Sequence, residues 1–202
     1  MLNKFKESAT FFIMLLPHSI FKNIILRMFG HKIGKKVKIG ICISLRSKQI
    51  ILQDGARIGN LNVFRNVNLL HLSEGANIGN LNWVSSAPDF SKQENNARLV
   101  LHAQSVITNR HYLDVSGSLE LMDGSAIWGV RSTVMTHGID PHTWLQTAYK
   151  ITIGNRSVIG SNSLIVPGTN LPQGCYFGMG SLISGSNYQA NTKYVNKKAG
   201  PK

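Results

Sequence analysis

Ile153-Gly154-Asn155-Arg156-Ser157-Val158-Ile159-Gly160-Ser161 decides the fold, because its two periodic isoleucines open a series that runs on through Ile165, Leu171, Phe177 and Ile183 at a constant spacing of six. Glycine follows the large apolar residue at 154, 160 and 178. Ile33, Ile39 and Leu45 start the same pattern near the other end of the chain, with Gly34 and Gly40 after the first two. Between them the unit is longer. Leu52-Gln-Asp-Gly-Ala-Arg-Ile-Gly-Asn-Leu-Asn-Val returns 20 residues later as Leu72-Ser-Glu-Gly-Ala-Asn-Ile-Gly-Asn-Leu-Asn-Trp. A further pair, Leu101, Ile107, Leu113 and Leu121, Ile127, Thr133, is offset by 20 again.

Six residues make one short extended face and a turn, and three such faces return the chain above its start, about 4.8 Å higher. Each periodic aliphatic then stacks on its copy in the coil below, with glycine and small polar residues at the corners. The spacing therefore predicts an all-β chain over 33–186, a triangular parallel β-helix of about six or seven coils.

The period breaks twice. From Leu72 the 20-residue step points to position 92, but the coil resumes at Leu101, so about nine extra residues form a loop over 85–98. From Leu121 it points to 141, yet the repeat resumes only at Ile151 or Ile153, which predicts a second loop over 139–152. Loops pushed out of a rigid wall are where sites tend to sit.

The lead, residues 1–32, has a helical period instead. Two short amphipathic helices hinged near Pro17 are expected, the second carrying Ile20, Phe21, Ile24, Ile25 and Met28 on one face. The apolar run from Ala9 ends at Pro17, and Lys22 and Arg27 interrupt the next apolar stretch, well short of the roughly 20 apolar residues of a spanning helix. The stripe either covers the end of the β-helix or lies on a membrane surface.

The chain has 202 residues, one domain's worth, with 43% hydrophobic but only 15% charged residues. Its 22 basic and 9 acidic side chains give a net charge of +13, which calls for an acidic partner. Of this, +7 falls within residues 1–38, beside the apolar stripe, as contact with anionic lipid requires. A basic tail, 187–202, holds Lys193, Lys197 and Lys198. No zinc-finger or RNA-binding motif accompanies the charge, so specific nucleic-acid recognition is not expected. Cys42 and Cys175 lie far apart without paired spacing, so neither a disulfide framework nor a cysteine zinc site is indicated.

The run Thr136-His137-Gly138-Ile139-Asp140-Pro141, together with the 153–161 stretch, Val166-Pro167-Gly168 and Gly178-Met179-Gly180-Ser181, resembles the hexapeptide-repeat acyltransferases, above all the galactoside, maltose and exopolysaccharide O-acetyltransferases. The resemblance spans about 33–185 and implies a left-handed β-helix, a homotrimer, and transfer of an acetyl group from acetyl-CoA to a sugar hydroxyl, with no metal. The acceptor expected from it is a cell-surface polysaccharide precursor, free or lipid-linked, handled in the cytoplasm or at the cytoplasmic face of the inner membrane.

By that resemblance His137 is the general base. An imidazole of near-neutral pKa suits the task, since a sugar hydroxyl is a poor nucleophile until its proton is taken. Asp140 either orients the imidazole or caps the loop before Pro141. His111, Asp114 and Trp144 are candidates for acceptor binding, Trp144 by stacking on a sugar face. Gly160, Ser161, Gly178, Gly180 and Ser181 are candidates for the wall along which the pantetheine of acetyl-CoA lies, with the tail lysines for its phosphates. Two other readings stand beside this one. His137 and His142 with His102 or His111 resemble the three-histidine zinc site of γ-class carbonic anhydrases, and the basic charge alone would suit a non-catalytic binding protein.

Overall fold

The computed structural model describes residues 2–93 and 95–195. Three long parallel sheets, of seven, eight and seven strands, form the three faces of a left-handed β-helix. Within these three sheets each strand pairs with the strand one full coil away, never with its neighbour in sequence.

The first face stacks Ile33, Leu52, Leu72, Leu101, Leu121, Ile153 and Leu171 in consecutive register. The second stacks Ile39, Ile58, Ile78, Ile107, Ile127, Ile159 and Phe177. These are the residues of the six-period, and almost all are fully buried. Each contributes about 1.5–3 kcal/mol by leaving water.

The third face departs from the period in two places. Leu45 points to solvent while Ser44 turns inward opposite Phe64, because the first coil is one residue shorter at the preceding corner. Val134, not Thr133, stacks on Leu113. The cause is an irregularity in the strand Ala126–Val130, where Ile107 pairs with Ile127 but Asn109 pairs with Val130. One extra residue there moves everything after it forward by one.

Both interruptions leave the wall at the same corner, between the third face and the next first face. The earlier one holds a short helix, Pro88–Ser91. The later one is not an open loop over 139–152 but an antiparallel hairpin of His137–Ile139 with Gln146–Ala148, and the wall resumes at Ile151. The basic tail also differs from expectation, since Lys193–Tyr194 adds an eighth strand to the second face. Tyr194 stacks on Phe177 at 4.9 Å and Tyr188 meets both edge-on, so three aromatic rings close this end of the core.

Helices α1 (Leu2–Met14) and α2 (Ile20–Met28) close the other end. Ser19 caps α2 by accepting from the Lys22 backbone N–H. Ile13, Met14 and Leu26 join the core, but Lys22 and Asn23 are buried beside them. Lys22 Nζ donates to the carbonyls of Met14, Leu16 and Gly40 at 3.0, 2.8 and 2.7 Å. Met14 is the last residue of α1, Leu16 lies in the turn that follows it, and Gly40 belongs to the first coil. The predicted stripe does not cover the coil: Ile20, Phe21, Ile24 and Met28 face solvent, and only Ile25 is partly covered.

Candidate functional site

The corner bearing both excursions builds the site. Between them in the stack lies the turn Val115–Ser118, preceded by Asp114 at the end of the strand Tyr112–Asp114. Asp114 is buried, and its carboxylate is held from two sides. Oδ1 accepts from the Ser116 hydroxyl at 2.6 Å, and Oδ2 accepts from the Thr136 backbone N–H at 2.8 Å and from the Thr136 hydroxyl. Thr136 Oγ1 in turn accepts from the Gly117 N–H at 2.9 Å, which ties the two coils together. His137 Nδ1 stands 3.0 Å from Asp114 Oδ2, at ion-pair distance though off the hydrogen-bond axis.

Burial raises the Asp114 pKa, but the donors from Ser116 and Thr136, with the His137 ring close by, together outweigh it and hold the carboxyl below its usual value. It is an anion at neutral pH. His137 Nδ1 is thereby the nitrogen that faces the carboxylate, and Nε2, which has no protein partner among the described residues, is left for chemistry. The imidazole is a quarter exposed, with the Phe90 ring at 5.9 Å on its flank. An imidazole oriented by a buried carboxylate through one nitrogen can accept a proton on the other.

The other candidates fall elsewhere. Asp140 serves the hairpin tip: its carboxylate accepts from the His142 and Thr143 N–H groups at 2.8 and 3.4 Å, so it caps the loop and leaves the imidazole to Asp114. Asp114 itself is enclosed behind His137, not presented to an acceptor. The reason is the extra residue in the second face, which replaces the 20-residue offset by 21 and moves Asp114 within reach of His137. His111 is buried as well, its Nδ1 accepting from the Ser132 N–H at 3.1 Å and its Nε2 3.1 Å from the Thr108 hydroxyl. Burial pulls its pKa down to about 4, against a small opposing effect of the Ser132 bond, so it is a neutral bracket between coils. Trp144 is 80% exposed near the hairpin tip, free to meet a ligand.

Gly160, Ser161, Gly178, Gly180 and Ser181 all lie at a different corner, between the second and third faces. A Cβ on Gly160 would stand 2.9 Å from the Met179 amide nitrogen, so the fold itself requires glycine there. Ser181 turns inward and donates to the Gly178 carbonyl at 2.6 Å. Ser161, Gly178 and Gly180 are at least partly exposed. Lys193 lies over the Tyr176 ring, with Nζ 5.5 Å from its centre, while Lys197 and Lys198 fall outside the described residues.

The zinc reading finds no converging ligands. His102 pairs with Glu120 at 2.6 Å on the first face, both ring nitrogens of His111 are engaged, and His142 stands at the hairpin tip. Among the described residues no group of three His, Cys, Asp or Glu side chains is placed to hold a metal. Sequence reasoning missed Ser116, Thr136 and Phe90. The loop over 85–98 was visible as a broken period, but nothing in it marked which side chain would reach His137.

No known family profile matches the chain, and no curated protein matches it. One solved structure that does match is a variant of AntD, an N-acyltransferase from Bacillus cereus, in complex with dTDP and coenzyme A. It is 18% identical, with 86% of this chain and 83% of that chain covered and a TM-score of 0.48.

Proposed function

We propose that the protein transfers an acetyl group from acetyl-CoA to a hydroxyl of a sugar, with His137 as general base and Asp114 as the residue that orients it. The observation that carries this reading is the 3.0 Å approach of His137 Nδ1 to the buried Asp114 carboxylate, which leaves Nε2 open. The resemblance of the 136–141 and 153–181 stretches to hexapeptide-repeat acyltransferases supplies the reaction class.

In the proposed reaction Nε2 removes the proton of the acceptor hydroxyl as its oxygen bonds to the thioester carbonyl carbon. The resulting imidazolium is stabilised by Asp114. Collapse of the tetrahedral adduct breaks the C–S bond, and the thiolate takes the proton back from Nε2, which restores the base. Atoms and charge balance with no further reactant.

Ser161, Gly178 and Gly180 remain the residues we favour for the donor, along with His137 for the chemistry, and these lie at two edges of one prism. A face of six residues at about 3.3 Å each separates them by roughly 20 Å. A neighbouring copy that brings its glycine corner against the His137 corner closes a single groove, and a homotrimer makes three. The test is release of CoA thiol from acetyl-CoA over a panel of free, nucleotide-linked and lipid-linked sugars, with the mass of the active species measured alongside. Acceptor-dependent release by a trimer is the expected result; no release with any acceptor, or full activity in a monomer, would count against it.

The acceptor we favour is held at an anionic membrane surface on the cytoplasmic side. Support comes from the exposed Phe5, Phe12, Ile20, Phe21, Ile24 and Met28 beside the exposed Lys32, Lys35, Lys36 and Lys38. The full-length protein is expected to sediment with vesicles containing phosphatidylglycerol and not with purely zwitterionic ones, and Phe21→Asp with Ile24→Asp is expected to release it. Unchanged sedimentation of that variant refutes this placement, as does a face that proves to be covered by a second copy, seen as a change in assembly mass on substitution.

A further inference from the structure

A charged hollow on the outer side of the first face adjoins the His137 corner and has no part in the acyl-transfer steps themselves. It encloses about 320 Å³ between His71, Arg98, His102, Glu120 and Lys150, with Asn95 and Ser118 at its rim. His71, Val100 and Glu120 are successive rungs of the ladder across three coils, which sets their spacing at about 4.8 Å.

The charges in this hollow are not balanced. Glu120 is already satisfied, since His102 Nε2 contacts one carboxylate oxygen at 2.6 Å and Lys150 contacts the other. Arg98 is half-buried, yet its guanidinium has neither an ion-pair nor a hydrogen-bond partner among the described residues. His71 Nε2 is buried without a partner. Burial, with His102 and Arg98 nearby, lowers the His71 pKa, which agrees with a cation held close to it. A half-buried guanidinium with five unused donors beside an unpaired imidazole nitrogen is an arrangement that an oxyanion completes.

The hollow is tied to the reacting corner through the backbone. Ser118 follows Gly117, which donates to Thr136 Oγ1, and Lys150 follows Tyr149, whose N–H donates to the Thr136 carbonyl at 2.8 Å. Ser118 Oγ also reaches the Asn95 carbonyl at 3.4 Å, so the insertion that carries Phe90 to His137 also borders the hollow. The glycine corner favoured for the donor lies at another edge.

We propose that this hollow binds a phosphate or carboxylate group of the acceptor, with Arg98 as its principal ligand and the His71 imidazole as a second donor. The proposal rests on the acyl-transfer reading and deepens it: the acceptor is an anionic sugar, of which a sugar phosphate is the simplest. Lys150 and His102 act by neutralising Glu120, which would otherwise repel the anion.

The test compares a neutral sugar with its phosphate monoester as acceptors for the full-length protein and for Arg98→Ala and Arg98→Lys. Arg98→Ala is expected to raise KM for the phosphorylated acceptor by about 10- to 100-fold, the loss of a charge-assisted bidentate contact. KM for acetyl-CoA and for the neutral acceptor is expected to stay the same, and Arg98→Lys to fall between. A rise confined to the KM of acetyl-CoA shows the oxyanion to be a phosphate of the donor and overturns the proposal, as does an unchanged KM for every substrate. Titration with inorganic pyrophosphate followed by calorimetry separates this site from the reaction. Binding by the wild-type chain that weakens in Arg98→Ala, in a protein with unchanged melting temperature, supports the hollow even if no acyl transfer is found, and absence of that binding sinks it even if transfer is found.

Discussion

His137→Ala is expected to lower kcat/KM for acyl transfer by about 100- to 10,000-fold, the contribution of a positioned general base, with little change in melting temperature. The two readouts separate because of what His137 touches. Its Nε2 has no protein partner among the described residues, and its Nδ1 faces Asp114, whose carboxylate keeps the bonds from Ser116 and Thr136 when the imidazole is gone. Asp114→Asn acts one step back. An amide keeps the volume but removes the negative charge that stabilises an imidazolium, and it turns N–H donors toward the Ser116 or Thr136 donors. A smaller loss in rate, at least about 10-fold, is expected along with a modest loss of stability. Free imidazole restoring activity to His137→Ala would strengthen the assignment, whereas a variant as active as the wild type would end it.

Lys22 carries the largest stability effect away from the site. Its side chain is wholly buried between α2, the end of α1 and the first coil, and its three N–H donors match three backbone carbonyls. Burial pulls its pKa down to about 8, partly offset by Cys42 nearby, so at neutral pH it remains an ammonium. Lys22→Met fills the space yet leaves those carbonyls without donors, at about 1–3 kcal/mol for each one that water cannot reach. A total near 3 kcal/mol is expected, a fall of about 6–12 °C in melting temperature for a chain of this size. Lys22→Ala adds a cavity and costs more. A melting temperature unchanged in Lys22→Met would mean that the helical cap is not fastened through this side chain. If the cap loosens, the exposed face of α2 loses its fixed position, so vesicle binding and stability should decline together in this variant.

The coil was legible because its core is one-dimensional. The residue that stacks at Ile153 is the one that stacks at Leu121 and Leu171, and six-residue spacing alone finds it. Spacing fails where a strand gains or loses a single residue. Ser44 and Val134 took positions that the period assigns to Leu45 and Thr133, and the second of these slips brought Asp114 to His137. Apolar patterning also misled at the amino-terminal end. The face of α2 against the coil includes Lys22 and Asn23, because the first coil presents the carbonyls of Gly40 and Val37 that need donors, and the apolar residues were left outside. Neither the pairing across coils nor the backbone's demand for donors is written in composition. The residue we propose as base stands out in the sequence through the residues around it, while the carboxylate beside it is brought there only by the fold.

A double-mutant cycle in kcat/KM, built from His137→Ala, Asp114→Asn and the two combined, tests most directly whether these residues work as one unit. The combined variant is expected to be no slower than His137→Ala alone, since a carboxylate that acts through the imidazole contributes nothing once the imidazole is gone. Losses that multiply, with the double variant slower than His137→Ala by the full factor of Asp114→Asn, would contradict the assignment of Asp114 and His137 to one catalytic unit.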